Sequence, residues 1–174
     1  MLDFGFSNGL PLRYMRPERE AEMPTVSTFL WLKEKGEEAA RFYVSLLPNS
    51  AIQSVNHLPG DMPVSTVEFT LEGKPFTIME SAFGAEPFNN SVSIVILCDS
   101  QAEIDRLWTA LLGGGGAMAC GWLKDRYGVV WQITPRRLIE MIKDKDRGKA
   151  ERALGAMNKM IKLDIGELER AFNG

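Results

Sequence analysis

The chain has 174 residues, 45% of them hydrophobic and 25% charged, a composition that indicates a globular protein with one core or two small fused modules. Its net charge of −3, with Lys and Arg scattered along the chain, argues against a basic stripe of the kind that binds nucleic acid. The longest clean apolar run, residues 92–98, is far shorter than the roughly 20 residues of a membrane-spanning helix, so we predict no membrane partner. Because the N-terminus lacks the pattern of a signal peptide, we expect a cytoplasmic protein.

The first 22 residues differ in character from the rest of the chain. Gly and Pro interrupt any regular element there, and residues 16–22 are strongly charged. We predict that residues 1–22 form a flexible leader, or an arm that packs on a partner subunit. The folded domain is predicted to span residues 23–174.

The first predicted module, residues 24–82, has a strand, a helix and then three strands. Period-two alternation marks the strands, and the helix carries apolar residues at helical spacing after two acidic residues that suit the positive end of its dipole. Pro48 ends the helix. The predicted strands cover residues 26–32, 52–58, 66–71 and 76–81, and the predicted helix covers residues 37–47.

The same order recurs in the second predicted module, residues 91–135. Ser100 and Glu103 have the spacing of a capping box at the start of its helix, and the glycine run at 113–116 ends that helix. The predicted strands cover residues 92–98, 117–120, 121–126 and 129–134.

The last two of these strands form a predicted hairpin with a turn at Arg126, Tyr127 and Gly128. The second strand has an apolar face, which predicts core packing, and a mixed face. The mixed face is typical either of the wall of a small-molecule cleft or of a sheet edge facing water, and alternation does not distinguish the two. The apolar face carries Val129, Trp131 and Ile133, and the mixed face carries Val130, Gln132 and Thr134.

Three helices are predicted after Pro135, at residues 137–143, at residues 148–162 and from Asp164 onward. Their stripe of Met, Leu, Ala and Ile is more typical of core packing or a subunit contact than of a ligand site. We predict that this helical tail, residues 136–174, helps form a homodimer.

The two cysteines, Cys98 and Cys120, lack the spacing of a metal site or a redox motif. Both lie in or beside apolar strands, so we predict buried free thiols. A cross-link between them is the alternative, and it requires that their strands lie side by side.

Four segments carry a resemblance to a known family. They are GWLKD at 121–125 with YG at 127–128 and WQ at 131–132, FLWLKEKGEEAARFYVSLLPNS at 29–50, TVEFTLEGKPFTIM at 66–79, and KLDIGELERAF at 162–172. Together they resemble PhnB-like proteins, a branch of the vicinal oxygen chelate superfamily of glyoxalases, bleomycin-resistance proteins and dioxygenases. The resemblance implies an α+β fold in which two βαβββ modules form a curved mixed sheet around a cleft, followed by C-terminal helices.

Metal-dependent members of this superfamily carry their ligands, commonly two His and one Glu, on strands that line the cleft. The resemblance places those positions at Ser27, Glu80, Ser93 and Gln132, of which only the carboxylate is a good ligand. The one histidine, His57, ends the predicted second strand, away from these positions. We therefore predict no tightly bound metal and no cofactor, with Mg²⁺ or Mn²⁺ held weakly by Glu80 and Gln132 as the alternative.

Glu80 is the candidate catalytic residue. It shares a strand face with Phe76 and Ile78, and if that face is the cleft, burial would raise the pKa of Glu80 and suit it to act as a general base. The alternative is a carboxylate at a strand end, in water or paired with an arginine.

The candidate ligand-binding residues combine polar groups with flat walls. Aromatic side chains suit a planar ligand, although core packing explains them equally well. The candidates are Ser27, Phe29, Trp31, Ser93, Trp122 and Gln132.

Two function classes follow from these residues. The first is a metal-free protein that binds a small, partly aromatic molecule in its cleft. The alternative is an enzyme of the superfamily: a lyase, an isomerase, a dioxygenase or the 3-demethylubiquinone-9 3-methyltransferase whose label the family carries. The chain has no glycine-rich loop between a first strand and helix of a doubly wound fold, which a nucleotide-like methyl donor normally requires.

Overall fold

Two four-stranded mixed sheets and five helices make up the described part of this computed structural model, residues 26–59 and 64–174. This arrangement confirms the predicted α+β class. The leader predicted for residues 1–22 lies outside the described residues.

The first sheet confirms the predicted order of strand, helix and three strands, with small shifts at the boundaries. Its elements are β1 (Thr28–Leu32), α1 (Gly36–Leu46), β2 (Ala51–His57), β3 (Ser65–Leu71) and β4 (Lys74–Glu80). The strands lie in the order β1-β4-β3-β2, with β1 parallel to β4 and the other pairs antiparallel. The parallel pair requires a crossover connection, which α1 begins on one face of the sheet.

The second sheet repeats this topology in the order β5-β8-β7-β6, with β5 parallel to β8. Its elements are β5 (Ile94–Cys98), α2 (Gln101–Leu112), β6 (Gly116–Ala117), β7 (Trp122–Lys124) and β8 (Val130–Pro135). The predicted capping box is present, because the Ser100 side chain accepts from the Glu103 N–H while the Glu103 carboxylate accepts from the Ser100 N–H. The predicted turn is also present, with Gly128 at φ 87°.

The strand predicted at 117–120 is much shorter than expected. Cys120 and Gly121 adopt positive φ angles of 61° and 81°, which lie outside the β region of a regular strand. Their N–H groups instead donate to the carbonyl oxygens of Met160 and Ile161, each at 2.8 Å. The helical tail is therefore bonded to the second module through its backbone.

The tail consists of α3 (Arg136–Ile142), α4 (Arg147–Met157) and α5 (Ile165–Asn173). The second helix of the tail, α4, ends at Met157 instead of the predicted residue 162, because the next residues turn to reach Cys120 and Gly121. Most of the predicted apolar stripe packs within the tail itself. It contributes to a separate small core that contains Leu138, Met141, Ala153, Met160, Leu163, Leu168 and Phe172.

Tyr43 of α1 lies between the two sheets. Its ring centre is 6.5 Å from that of Phe69 on β3 and 5.1 Å from that of Trp131 on β8. All three side chains are buried in one hydrophobic cluster. Each sheet therefore turns one face, its core face, toward the other sheet across the helices. The opposite face of each sheet, its open face, points away from the shared core.

Every helix among residues 26–59 and 64–174 is too short or too polar to cross a bilayer.

Candidate functional site

The open faces carry six of the seven candidate site residues. Along β1, Leu30 and Leu32 are buried on the core face, so Phe29 and Trp31, with Ser27 just before the strand, lie on the open face. On the second sheet, Ile133 is buried on the core face, and its alternating neighbour Gln132 lies on the open face, where Val130 and Thr134 on the same strand are nevertheless buried. Gln132 is in register with Trp122, and Ser93 precedes β5 in phase with this face.

The structure brings Ser93, Gln132 and Trp122 together. The Nε2 atom of Gln132 donates a hydrogen bond to the Oγ atom of Ser93 at 2.7 Å, and Trp122 lies opposite Gln132 in the β7–β8 ladder. All three side chains are half-buried. They form a polar pair beside an aromatic ring on the open face of the second sheet.

The three candidates of the first module lie apart from that group. Phe29 is 56% exposed, and Ser27 is exposed at the wall of a cavity of about 600 Å³ between β1 and β5. Trp31 is covered by the linker between the modules, where a Cβ atom on Gly84 would come within 2.8 Å of the Trp31 ring. Because the open faces of the two sheets point away from each other, one chain does not enclose all six side chains in a single cleft.

The structure places Glu80 on the core face, where the face it shares with Ile78 packs on α1 instead of lining a cleft. Its Oε2 atom accepts a hydrogen bond from the backbone N–H of Gly36, the first residue of α1, at 2.6 Å. Ile78 is fully buried beside it. A carboxylate there satisfies one of the free N–H groups of the helix and suits the positive end of its dipole. The predicted catalytic carboxylate therefore contacts the N-terminus of α1.

The candidate site offers few side chains that bind metal ions. No group of three or more His, Cys, Asp or Glu side chains converges anywhere in the described ranges. His57 is exposed at the end of β2. Glu80 and Gln132 lie in different sheets, on a core face and an open face respectively, so the two do not form a common site for Mg²⁺ or Mn²⁺.

Among the described residues, Asp125 is the carboxylate that accepts the most hydrogen bonds, and the sequence pattern predicted only that it lies in the last hairpin. It is 3% exposed and accepts from the Tyr43 hydroxyl at 2.7 Å, the Trp131 indole N–H at 2.8 Å, and the backbone N–H groups of Tyr127 at 2.8 Å and Val129 at 3.0 Å. Burial raises the pKa of Asp125, and the hydrogen bonds from Tyr43 and Trp131 oppose the shift. Burial and the nearby Asp125 raise the pKa of Tyr43, so its hydroxyl stays a neutral donor. The aromatic residues on both sides of Asp125 in the sequence are the only local sign of this burial.

Both cysteines are free, as predicted, but only Cys98 is buried, so the predicted burial of Cys120 is wrong. Cys98 is buried at the end of β5, and burial raises the pKa of its thiol to about 11. Cys120 is half-buried, with its Sγ atom 3.8 Å from Asn158 Oδ1.

A family described as 3-demethylubiquinone-9 3-methyltransferase matches residues 24–134, which is more than half of the chain. The chain belongs to this family. It is a PhnB-like member of the vicinal oxygen chelate superfamily, which confirms the resemblance seen within residues 29–132, while the segment at 162–172 lies beyond the matched region. No protein of curated function matches the chain significantly.

Solved structures agree with this assignment. A PhnB protein from Bacillus cereus, provisionally described as a 3-demethylubiquinone-9 3-methyltransferase, is 29% identical, with a TM-score of 0.59 over 64% of this chain and 99% of its own. Protein PA1353 from Pseudomonas aeruginosa is 20% identical, with a TM-score of 0.56 over 65% of this chain and 98% of its own. The fosfomycin resistance protein FosX from Listeria monocytogenes is 14% identical, with a TM-score of 0.50 over 70% of this chain and 98% of its own. The last two show a shared fold only.

The helical tail of this PhnB-like chain lies beyond the matched family region. The B. cereus chain is covered almost completely by 64% of this chain, so about a third of this chain has no counterpart in it. Helices α3 to α5 begin after residue 134, where the family match ends.

Proposed function

We propose that this PhnB-like protein binds a small, partly aromatic molecule, without a tightly held metal ion, in a cleft that two copies of the chain build together. The observation that carries the proposal is the hydrogen-bonded pair of Ser93 and Gln132 beside Trp122 on the open face of the second sheet.

The pair offers a ligand two complementary polar groups. Gln132 uses its amide N–H on Ser93, which leaves its Oε1 atom as an acceptor and the Ser93 hydroxyl as a donor. Neither group has a further hydrogen-bond partner among the residues that the structure describes. With the flat ring of Trp122 beside them, these groups suit a planar molecule that carries a hydroxyl or a carbonyl group.

Exposed apolar side chains on the edge strands β1 and β5 support a second copy of the chain as the other wall of the cleft. Phe29 on β1 is 56% exposed, and Val95 and Leu97 on β5 are 48% and 38% exposed. Both strands are sheet edges, which present unpaired backbone groups. A homodimer in which the first sheet of one copy faces the second sheet of its partner would cover these side chains and enclose all the open-face candidates except Trp31 in one cleft.

The description of the matching family favours methyl transfer to a ubiquinone precursor as a second candidate function. That reaction needs a methyl donor. Residues 33–35, which join β1 to α1, contain no glycine and so do not form the glycine-rich loop by which doubly wound enzymes bind nucleotide-like donors. A catalysed methyl transfer by the purified protein would place this candidate ahead of simple binding.

Phenol is a suitable probe of the binding proposal, because its hydroxyl both donates and accepts. We expect phenol to shift the indole signal of Trp122 in ¹⁵N-resolved NMR spectra saturably, and toluene, which has the same shape without the hydroxyl, to bind more weakly. Gln132→Leu should weaken phenol binding by about tenfold. The matched control, Gln53→Leu at an exposed position of β2, should leave binding unchanged.

Two results would overturn the proposal. The first is equal binding of phenol to the wild type and to Gln132→Leu, which would show that the Ser93–Gln132 pair takes no part in binding. The second is one transition-metal ion per chain in elemental analysis of untagged protein, which would contradict the metal-free part.

A further inference from the structure

A second cavity, of about 350 Å³, opens where the β1–α1 loop, the inter-module linker and the β7–β8 turn meet. Its lining carries more positive than negative charge. We call it the basic pocket, after its four cationic residues Lys33, Lys35, Lys124 and Arg126. Its two acidic residues are Glu34 and Glu86. None of the four cations forms an ion pair with a carboxylate in the part of the chain that the structure describes.

The walls of the basic pocket are aromatic. Trp31, Phe88 and Tyr127 line it. Two of the cations are held against these walls. The Lys124 ammonium donates to the carbonyl oxygen of Phe88 at 3.3 Å, and the Arg126 guanidinium lies 5.4 Å from the ring centre of Tyr127 and 4.3 Å from that of Phe42, which lies outside the pocket. The pocket therefore combines flat apolar surfaces with fixed positive charge.

We propose that the basic pocket binds a small aromatic carboxylate. The carboxylate would accept charge-assisted hydrogen bonds from the Lys and Arg side chains of the pocket, and the ring would lie against Phe88 and Tyr127. Charge-assisted bonds of this kind are the strong ones, and a cavity of this size suits a ligand with a single ring. The site is separate from the cleft proposed above, because it uses neither Ser93, Gln132 nor Trp122.

Benzoate is the probe, with two matched comparisons: benzyl alcohol, which has a similar body without the charge, and inorganic phosphate, which has the charge without the body. The full chain is labelled with ¹⁵N, and the indole signal of Trp31 is identified by its loss in Trp31→Phe. We expect benzoate to shift this signal saturably, because the Trp31 side chain lines the pocket, with binding that weakens as salt is added. Benzyl alcohol and phosphate should bind at least about tenfold more weakly.

Variants connect the effect to the pocket. Lys124→Met with Arg126→Met should weaken benzoate binding by about tenfold or more, whereas Lys159→Met, an exposed cation outside the pocket, should not. Lys33→Met is a second test at an exposed position, where a substitution should not affect folding, and it should also weaken benzoate binding. Unchanged affinity in these pocket variants, equal binding of benzyl alcohol, or phosphate binding as tight as that of benzoate would each overturn the proposal. None of these results bears on phenol at the Ser93–Gln132 pair.

Discussion

The hydroxyl group of Tyr43, on the helix of the first module, donates a 2.7 Å hydrogen bond to Asp125, in the last hairpin of the second module. The two residues are separated by 82 positions in the chain. Asp125 also accepts from the indole N–H of Trp131, whose ring packs against Tyr43. One buried carboxylate therefore joins the helix of one module to the last hairpin of the other.

Asp125→Asn should destabilise the protein strongly. An amide has the same shape as the carboxylate, but its NH₂ group would face donors that now point at an oxygen. Because all four contacts of Asp125 are donors, we expect the free energy of unfolding to fall by about 2–4 kcal/mol, measured by urea denaturation. Tyr43→Phe removes one donor and should lower it by about 1–2 kcal/mol.

Asp99→Asn is the matched control for this prediction. Asp99 forms an ion pair with Arg136 at 3.0 Å, but its side chain is 73% exposed, so its loss should change the free energy of unfolding by less than about 1 kcal/mol. Equal effects of Asp99→Asn and Asp125→Asn would contradict the structural role assigned to the buried carboxylate.

Glu80 should act on the stability of α1 and not on ligand binding at the open face. Glu80→Gln keeps an oxygen that accepts from the Gly36 N–H but loses the charge at the helix N-terminus, so we expect a loss of about 0.3–1 kcal/mol. Gly36→Ala should have a larger effect, about 1–3 kcal/mol, because its Cβ atom would lie 2.9 Å from Ile78 Cγ2.

Phenol affinity separates the stabilising role of Glu80 from a catalytic or ligand-binding role. Binding should be the same in Glu80→Gln as in the wild type and in the exposed control Glu151→Gln. If Glu80→Gln abolished phenol binding while thermal unfolding stayed unchanged, the carboxylate would belong to the site after all.

Positive charges introduced at the exposed apolar side chains of β5 should dissociate the proposed homodimer. We expect light scattering to give twice the chain mass for the wild type and the chain mass for Val95→Lys with Leu97→Lys, because two unpaired charges would be buried in the interface.

Ile161→Lys tests the helical tail as the alternative interface. Ile161 is 53% exposed on the tail. A dimer should persist in this variant if the open faces pair. A monomeric Ile161→Lys together with a dimeric Val95→Lys/Leu97→Lys variant would assign the interface to the tail, as the sequence pattern predicted.

The two cysteines should differ in their reaction with iodoacetamide. The thiolate is the reactive form, and burial that raises the pKa of Cys98 to about 11 leaves roughly a thousandth of it ionised at pH 8. We expect the native protein to be alkylated first at Cys120, and labelling of Cys98 to rise with pH up to about 11. Cys120→Ala and Cys98→Ala identify the two rates by mass spectrometry, and rapid native labelling of Cys98 at pH 8 would contradict the prediction.

The order of elements in this protein follows from local sequence patterns alone. Period-two alternation, helical spacing, the capping box of Ser100 and Glu103, and the glycine of the last turn each depend on residues within a few positions of one another, so the two βαβββ modules and the α+β class were predictable. The resemblance to PhnB-like proteins rests on the same local segments.

Only the tertiary structure decided which face of each strand is covered. Alternation assigns Glu80 to the face of Ile78, but whether α1 packs on that face depends on contacts between distant residues. The same holds for Asp125, whose burial depends on Tyr43, and for α4, which ends early because Met160 and Ile161 bond to Cys120 and Gly121. A single strand pattern shows that two faces differ, whereas burial is a property of what packs against them.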